Sequence, residues 1–209
     1  ASEFIWTINF DVLNTQTFGG TTYLTHAPVG GNMDPSAFGI NGGWGGIRTT
    51  PECVELFPNE GNSADTRETS FTYGQTKEIP DVAVFNDGFA IQKFKNINID
   101  GTAGTDTVGD FVDIDFPIFR LSDAYLMYAE AVVRGGSGGD INTAENYINM
   151  IRERAYGNTS GNVTTGLIDL PFLLDERARE LHWESHRRQD LVRFGQFTTS
   201  KVWAWKGNV

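Results

Sequence analysis

Cysteine is almost absent: Cys53 stands alone in 209 residues. An internal disulfide is therefore excluded, and a place beside Val54, Leu56 and Phe57 suits a buried thiol better than a nucleophile. Basic residues are also few, sixteen against twenty-seven acidic ones, for a net charge of -11. No basic tract precedes the C-terminal part, so the balance argues against a nucleic-acid partner. The chain has no lysine-rich leader and no apolar run long enough to cross a bilayer, and as it stands it is expected to be soluble. Neither a phosphate-cradling glycine motif nor a nucleophile elbow occurs, and no cofactor is implied.

What is abundant is glycine and phenylalanine, twenty-four and fifteen residues. The glycines gather in Gly19-Gly20, Gly30-Gly31, Gly42-Gly43, Gly45-Gly46 and Gly135-Gly136-Ser137-Gly138-Gly139. A chain of this length buries roughly 70% of the surface its unfolded form exposes, enough for one domain over 1–209. Helical patterning dominates only after Phe119, so 1–119 is expected to be loop-rich and to face a ligand, and 120–195 to form a helical scaffold. Both ends are abruptly apolar, Glu3-Phe4-Ile5-Trp6 and Trp203-Ala204-Trp205, which suggests a piece of a larger chain.

Phe4, Trp6, Ile8 and Phe10 alternate, which predicts an extended segment with one buried face. From Asn14 to Ile47 turn-formers are interleaved with Phe18, Tyr23, His26, Phe38 and Trp44, and such a long unperiodic stretch is the best place to look for a ligand. Thr50 as N-cap with Pro51 behind it predicts a short helix to Phe57. Phe71-Thr72-Tyr73 and Phe89 to Phe94 read as brief strands. Val112, Ile114 and Phe116 predict another, ended by Pro117.

Leu121, Ala124, Tyr125, Tyr128, Ala129 and Val132 mark a helix stopped by Gly135-Gly136. A second helix is expected from Asn142 as N-cap, with Glu145 completing a capping box and Ala144, Ile148, Ile151 and Ala155 on one face. Small residues favour close antiparallel pairing of the two. A long last helix is predicted from Phe172 to Phe194 behind Asp169 and Pro171. Its apolar stripe is Leu174, Ala178 and Leu181, and Glu176, Glu180 and Glu184 lie on charged faces. Arg177, Arg179, Arg187 and Arg188 are their expected partners, within this helix or across a helix pair.

Three constellations imitate chemistry. Asp113 and Asp115, about 7 Å apart on a strand face, have the separation of an inverting glycosidase pair, yet a solvated strand explains them as well. Asn96, Asn98, Asp100 and Gly101 resemble half of a calcium loop, but the twelfth position is Thr107, not a bidentate carboxylate. His182 and His186 lack the order of a zinc helix motif. Neither catalysis nor a metal is expected.

Three motifs then occur in order: Gly42-Gly43-Trp44-Gly45-Gly46-Ile47-Arg48-Thr49-Thr50-Pro51-Glu52; Phe119-Arg120-Leu121-Ser122-Asp123-Ala124-Tyr125-Leu126-Met127-Tyr128-Ala129-Glu130-Ala131; and Glu176-Arg177-Ala178-Arg179-Glu180-Leu181 with Glu184 and Arg187-Arg188-Gln189-Asp190-Leu191-Val192-Arg193-Phe194-Gly195. Together they resemble the C-terminal half of the SusD/RagB family. Asn149-Met150-Ile151-Arg152-Glu153-Arg154-Ala155 is similar to the end of that family's second helix, and Trp203-Ala204-Trp205-Lys206-Gly207 to the stretch before its C-terminal loop. The resemblance implies a mainly α fold of the SusD-like alpha-alpha superhelix type, with a TPR-like hairpin, a long C-terminal helix and a loop-rich part containing short strands.

It further implies a non-catalytic outer-membrane lipoprotein on the extracellular face. Such a protein binds oligo- or polysaccharide and hands it to a SusC-like TonB-dependent transporter. The lipid anchor it implies is not in this chain. An alternative is a structural or interaction module of the uptake complex, with ligand contacts elsewhere. Sugars present apolar faces edged with hydroxyls, so aromatic platforms with polar neighbours are required. Tyr23, His26, Asn32, Asp34, Phe38 and Trp44 are the candidates. Tyr23 or Phe38 is expected to stack, whereas Trp44 is expected first to pack the loop on the scaffold.

Overall fold

A computed structural model of the chain describes residues 3–59 and 62–199. The Trp203 to Gly207 stretch lies outside the described residues. The fold is mainly helical, with β1 (Phe4–Ile8), α1 (Gly20–His26), α2 (Pro51–Val54), β2 (Ser70–Phe71), β3 (Ala90–Ile91), β4 (Phe116–Arg120), α3 (Leu121–Val133), α4 (Ile141–Tyr156), α5 (Leu170–Glu180) and α6 (Arg187–Arg193). β1 pairs with β4, and β2 with β3 in antiparallel register. Two compact units divide the chain. Among the described residues a helical unit takes 3–5, 55–59, 62–68 and 119–199, and a loop-rich unit takes 6–54 and 69–118.

In the helical unit α3 and α4 pair over Leu126, Ala129, Ala144, Ile148 and Ile151, and Leu173 of α5 completes the core. Tyr128 accepts from the Asp140 amide at 3.1 Å beside the connection. Further from it, Tyr125 stacks on Tyr147 with centroids 4.3 Å apart. Those two contacts are the geometry of an antiparallel hairpin, as the pattern of small residues predicts. Its cap differs from expectation. Asp140, not Asn142, accepts from the amides of Asn142 and Thr143 at 2.9 and 3.0 Å, and Glu145 accepts instead from the Thr165 amide.

The long last helix is two helices. α5 starts at Asp169, which caps the Phe172 amide at 2.8 Å, but it ends at Glu180. Trp183 and Ser185 adopt φ of 62° and 66°, a left-handed backbone that no continuous helix contains. His182, Trp183, Ser185 and His186 are weak helix formers, and the turn sets Glu184 on the buried guanidinium of Arg120, at 2.6 Å from Nε. The glutamates expected on charged faces are buried, and most of their partners come from elsewhere in the unit. Glu176 meets Arg67, Arg152 and Arg179, and Glu180 meets Arg120, Arg154 and Arg67. Arg177 pairs with Asp123 and Asp190 at 2.8 Å each.

The loop-rich unit has its own core of Val29, Met33, Phe38, Ile40, Ala90 and Val112. The stretch read as unperiodic loop holds α1 and a short 3-10 turn at Pro35–Phe38. Two strand expectations change. All of Phe4, Ile5, Trp6 and Ile8 are exposed, since a two-stranded ribbon shields neither face. Pro117 lies inside β4 rather than ending a strand at Val112–Phe116, as a proline can where no further strand needs its missing N–H. Asp113 and Asp115 serve the backbone, accepting from the Val12 and Phe10 amides at 3.1 and 3.0 Å. Cys53 is half-buried.

Candidate functional site

α1 places the first elements of the site. Thr21, Thr22, Thr25 and His26 are buried on one face, which leaves Tyr23 pointing outward. A helix of this kind ends with carbonyls that lack intrahelical donors. Here the glycine-rich stretch supplies them: the amide of Trp44 donates to His26 O at 3.0 Å, and the amides of Gly46 and Ile47 both donate to Ala27 O at 2.8 and 3.0 Å. Gly45 donates to Val29 O at 2.8 Å.

Such close docking demands glycine. A Cβ at Gly43 would fall 2.1 Å from Val29 O, and Gly45 has φ of +59°. Between them the chain has no choice but to hold its one large side chain outward, so Trp44 is 43% exposed. This corrects the expectation that Trp44 packs the loop. The backbone packs, and the ring is displayed.

Four aromatic rings converge there. Trp44 lies 6.0 Å from Tyr23, itself 44% exposed, and 6.2 Å from the exposed Phe18. Phe18 in turn lies 5.1 Å from Phe111. Asn41 ties the Phe111 segment to this place, its amide donating to Gly109 O at 3.2 Å and its side chain to Asp110 at 2.6 Å. Asp106 holds the same turn by accepting from the Val108, Asp110 and Phe111 amides at 2.9 to 3.0 Å. Those bonds, the Phe111 amide foremost, lower the Asp106 carboxyl below the usual range. The result is a shallow apolar surface of rings edged by the exposed Asn41 and the half-buried Asp110.

Of the six candidates from the sequence, Tyr23, His26 and Trp44 come together. His26 is 2% exposed, its ring stacked against Trp44 at 5.0 Å and 23°, and so offers no face to a ligand. Phe38 is 3% exposed, a core residue with Lys95 over its ring at 5.0 Å, which corrects its assignment as a stacking platform. Asp34 caps the Pro35–Phe38 turn, accepting from the Ser36 amide at 2.9 Å. Asn32 is exposed and packs its amide over Gly74. Phe18 was visible as a loop aromatic but had no spacing to single it out. Phe111 and Asp110 had no local signal, since tertiary contacts such as those of Asn41 and Phe18 bring them near.

Among the described residues no group of three or more His, Cys, Asp or Glu side chains is placed to hold a metal ion. Nor, among those residues, is any helix long and apolar enough to cross a membrane.

The SusD family profile matches residues 76–209. The starch-binding protein SusD of Bacteroides thetaiotaomicron is 32% identical to this chain, over 98% of it and 43% of that protein. SusD-like protein P25 of Formosa agariphila is 43% identical over 37% of this chain and 15% of its own length. The chain thus spans less than half the length of these curated relatives. Among solved structures, a SusD superfamily protein from Bacteroides vulgatus superposes with a TM-score of 0.64 at 24% identity, covering 93% of this chain and 36% of that one. Surface glycan-binding protein A from Bacteroides thetaiotaomicron, in complex with laminarihexaose, gives 0.61 at 24% identity, over 93% and 43% of the two chains. With the family profile covering most of the chain and the fold in agreement, this chain belongs to the SusD family.

Proposed function

We propose that this chain binds an oligo- or polysaccharide on the Phe18, Tyr23 and Trp44 rings without turning it over. The single observation that carries this is the exposed, rigidly backed ring cluster. The exposed Trp44 and Tyr23 rings stand on segments joined by four hydrogen bonds, with the exposed Phe18 ring beside Trp44, and the three suit the apolar faces of sugar rings. Asn41 and Asp110 supply hydroxyl partners at the rim. Relatives named for starch and glycan binding support the ligand class. The wider role we propose, in keeping with the family, is that of an outer-membrane lipoprotein on the extracellular face that delivers the glycan to a SusC-like TonB-dependent transporter.

The test is a calorimetric and array screen of neutral and acidic glycans, with reducing ends followed over time. Binding with no release of reducing ends is the expected result. Silence across the glycans overturns the ligand class, and accumulating reducing ends overturn the non-catalytic role. Because the chain matches 43% of the starch-binding relative, the alternative of contacts elsewhere has its own outcome. In that case the intact protein binds, and Trp44→Ala leaves the affinity unchanged. Co-purification with the outer-membrane transporter tests the delivery step.

A further inference from the structure

The docked backbone turns Trp44 outward, but Trp44 can serve as a platform only if its ring is also held in one orientation. Flanked by Gly43 and Gly45, the residue has no side-chain neighbours in sequence to restrict it. The exposed Tyr23 and Phe18 rings edge it at 6.0 and 6.2 Å, and one buried residue holds it from behind. The imidazole of His26 lies against the Trp44 ring at 5.0 Å and 23°, and its Nδ1 lies 2.7 Å from Gly42 O. The main-chain oxygen of the same residue accepts from the Trp44 amide at 3.0 Å. His26 therefore grips the tryptophan segment at three points: the carbonyl two residues before Trp44, the Trp44 amide, and the Trp44 ring.

The hydrogen-bond chemistry assigns the proton. A carbonyl oxygen only accepts, so Nδ1 must carry the hydrogen that reaches Gly42 O. Nε2 is buried with no hydrogen-bond partner among the described residues, so a proton there would be stranded. At 2% exposure the imidazole has no open face for a sugar. An unpaired buried nitrogen is a standing cost, which the structure bears where the other nitrogen fixes the segment that displays Trp44.

We propose that His26 is the positioning residue of the glycan platform. Its Nδ1–H tautomer and its flat ring fix the orientation of the Trp44 ring before any ligand arrives. This rests on the binding role proposed above and deepens it: the platform is preorganised, and binding does not have to order it.

The experiment combines ligand-free and ligand-bound measurements on the intact protein. Imidazole nitrogen NMR of the unsubstituted protein should find the His26 proton on Nδ1. A proton on Nε2 alone overturns the proposal. His26→Asn keeps a donor for Gly42 but removes the ring, and His26→Phe keeps a ring but removes the donor. Each should shift the Trp44 indole N–H resonance, assigned with Trp44→Phe, and speed amide exchange at Trp44 to Ile47. Laminarihexaose affinity, measured well below each thermal midpoint, should fall by about tenfold in both variants. A merely structural role would lower the midpoint and leave the indole resonance and the affinity of the folded protein unchanged, and that outcome overturns the proposal. If the unsubstituted protein binds no glycan, the binding role fails. The tautomer and the indole resonance still decide whether His26 holds Trp44.

Discussion

Arg120 grips Glu184 through two parallel hydrogen bonds, Nε to one carboxylate oxygen at 2.6 Å and Nη2 to the other at 2.9 Å, across sixty-four residues of sequence. The same guanidinium reaches Glu180. Both partners are buried, so the pair ties the start of α3 to the turn that ends α5. Bidentate geometry of this kind is specific to arginine.

Arg120→Met should therefore destabilise the protein by about 3 to 5 kcal/mol, because it strips two buried carboxylates of a shared counter-charge. Urea denaturation with an unchanged slope reads the loss. A loss below about 1 kcal/mol would show that the turn at Trp183 to Ser185 does not depend on this clasp.

Acid should find the same network. Burial pushes the Glu180 carboxyl up, but Arg120, Arg154 and Arg67 outweigh it and bring it from 4.5 down to about 2. Its folded-state value lies below its unfolded one, so its stabilising contribution is complete above pH 4.5 and fades as the pH falls toward 2. Glu176 is lowered in the same direction, against burial, by Arg67, Arg179 and Arg152. Thermal midpoints should fall across that window. Glu180→Gln should be less stable at neutral pH, with a shallower acid slope, and an unchanged slope would remove Glu180 from the account.

Leu181 is 3% exposed at the end of α5. Leu181→Ala should cost about 2 to 5 kcal/mol through the cavity it leaves. Denaturation midpoints measure this, and a change under about 0.5 kcal/mol would contradict its packing.

Platform and core separate in a matched pair of variants. Trp44→Ala should weaken binding of whichever glycan the screen identifies by about 1 to 3 kcal/mol, as for other stacking platforms, and lower stability by about 1 kcal/mol or less. Phe38→Ala should do the opposite, costing about 3 to 5 kcal/mol of stability. Tyr23→Ala should follow Trp44→Ala. Calorimetry and denaturation on the same samples decide, and a stability loss confined to Trp44→Ala would reverse the two roles.

The sequence by itself determined the helical hairpin, because the apolar periods of α3 and α4, the glycine stop after α3 and the small residues on both helices are local signals that packing then obeys. The start of α5 was equally legible from Asp169 and Pro171. The end of α5 was not, because its charged pattern continues past Glu180. The distant Arg120, clasping Glu184, helps to offset the strain of a left-handed turn at Trp183 and Ser185. Burial of Glu176 and Glu180 was hidden for the same reason: a carboxylate is legible as exposed until the arginines that surround it are brought in from other elements.

At the candidate site the glycine-rich stretch and its aromatics could be read locally, but not which ring faces outward. Phe38 and Trp44 look alike as large apolar residues among turn-formers. Tertiary structure decided between them. Phe38 falls on the inner side of a capped turn, whereas the Trp44 backbone is drawn so tightly onto the end of α1 that its side chain has only the outside left.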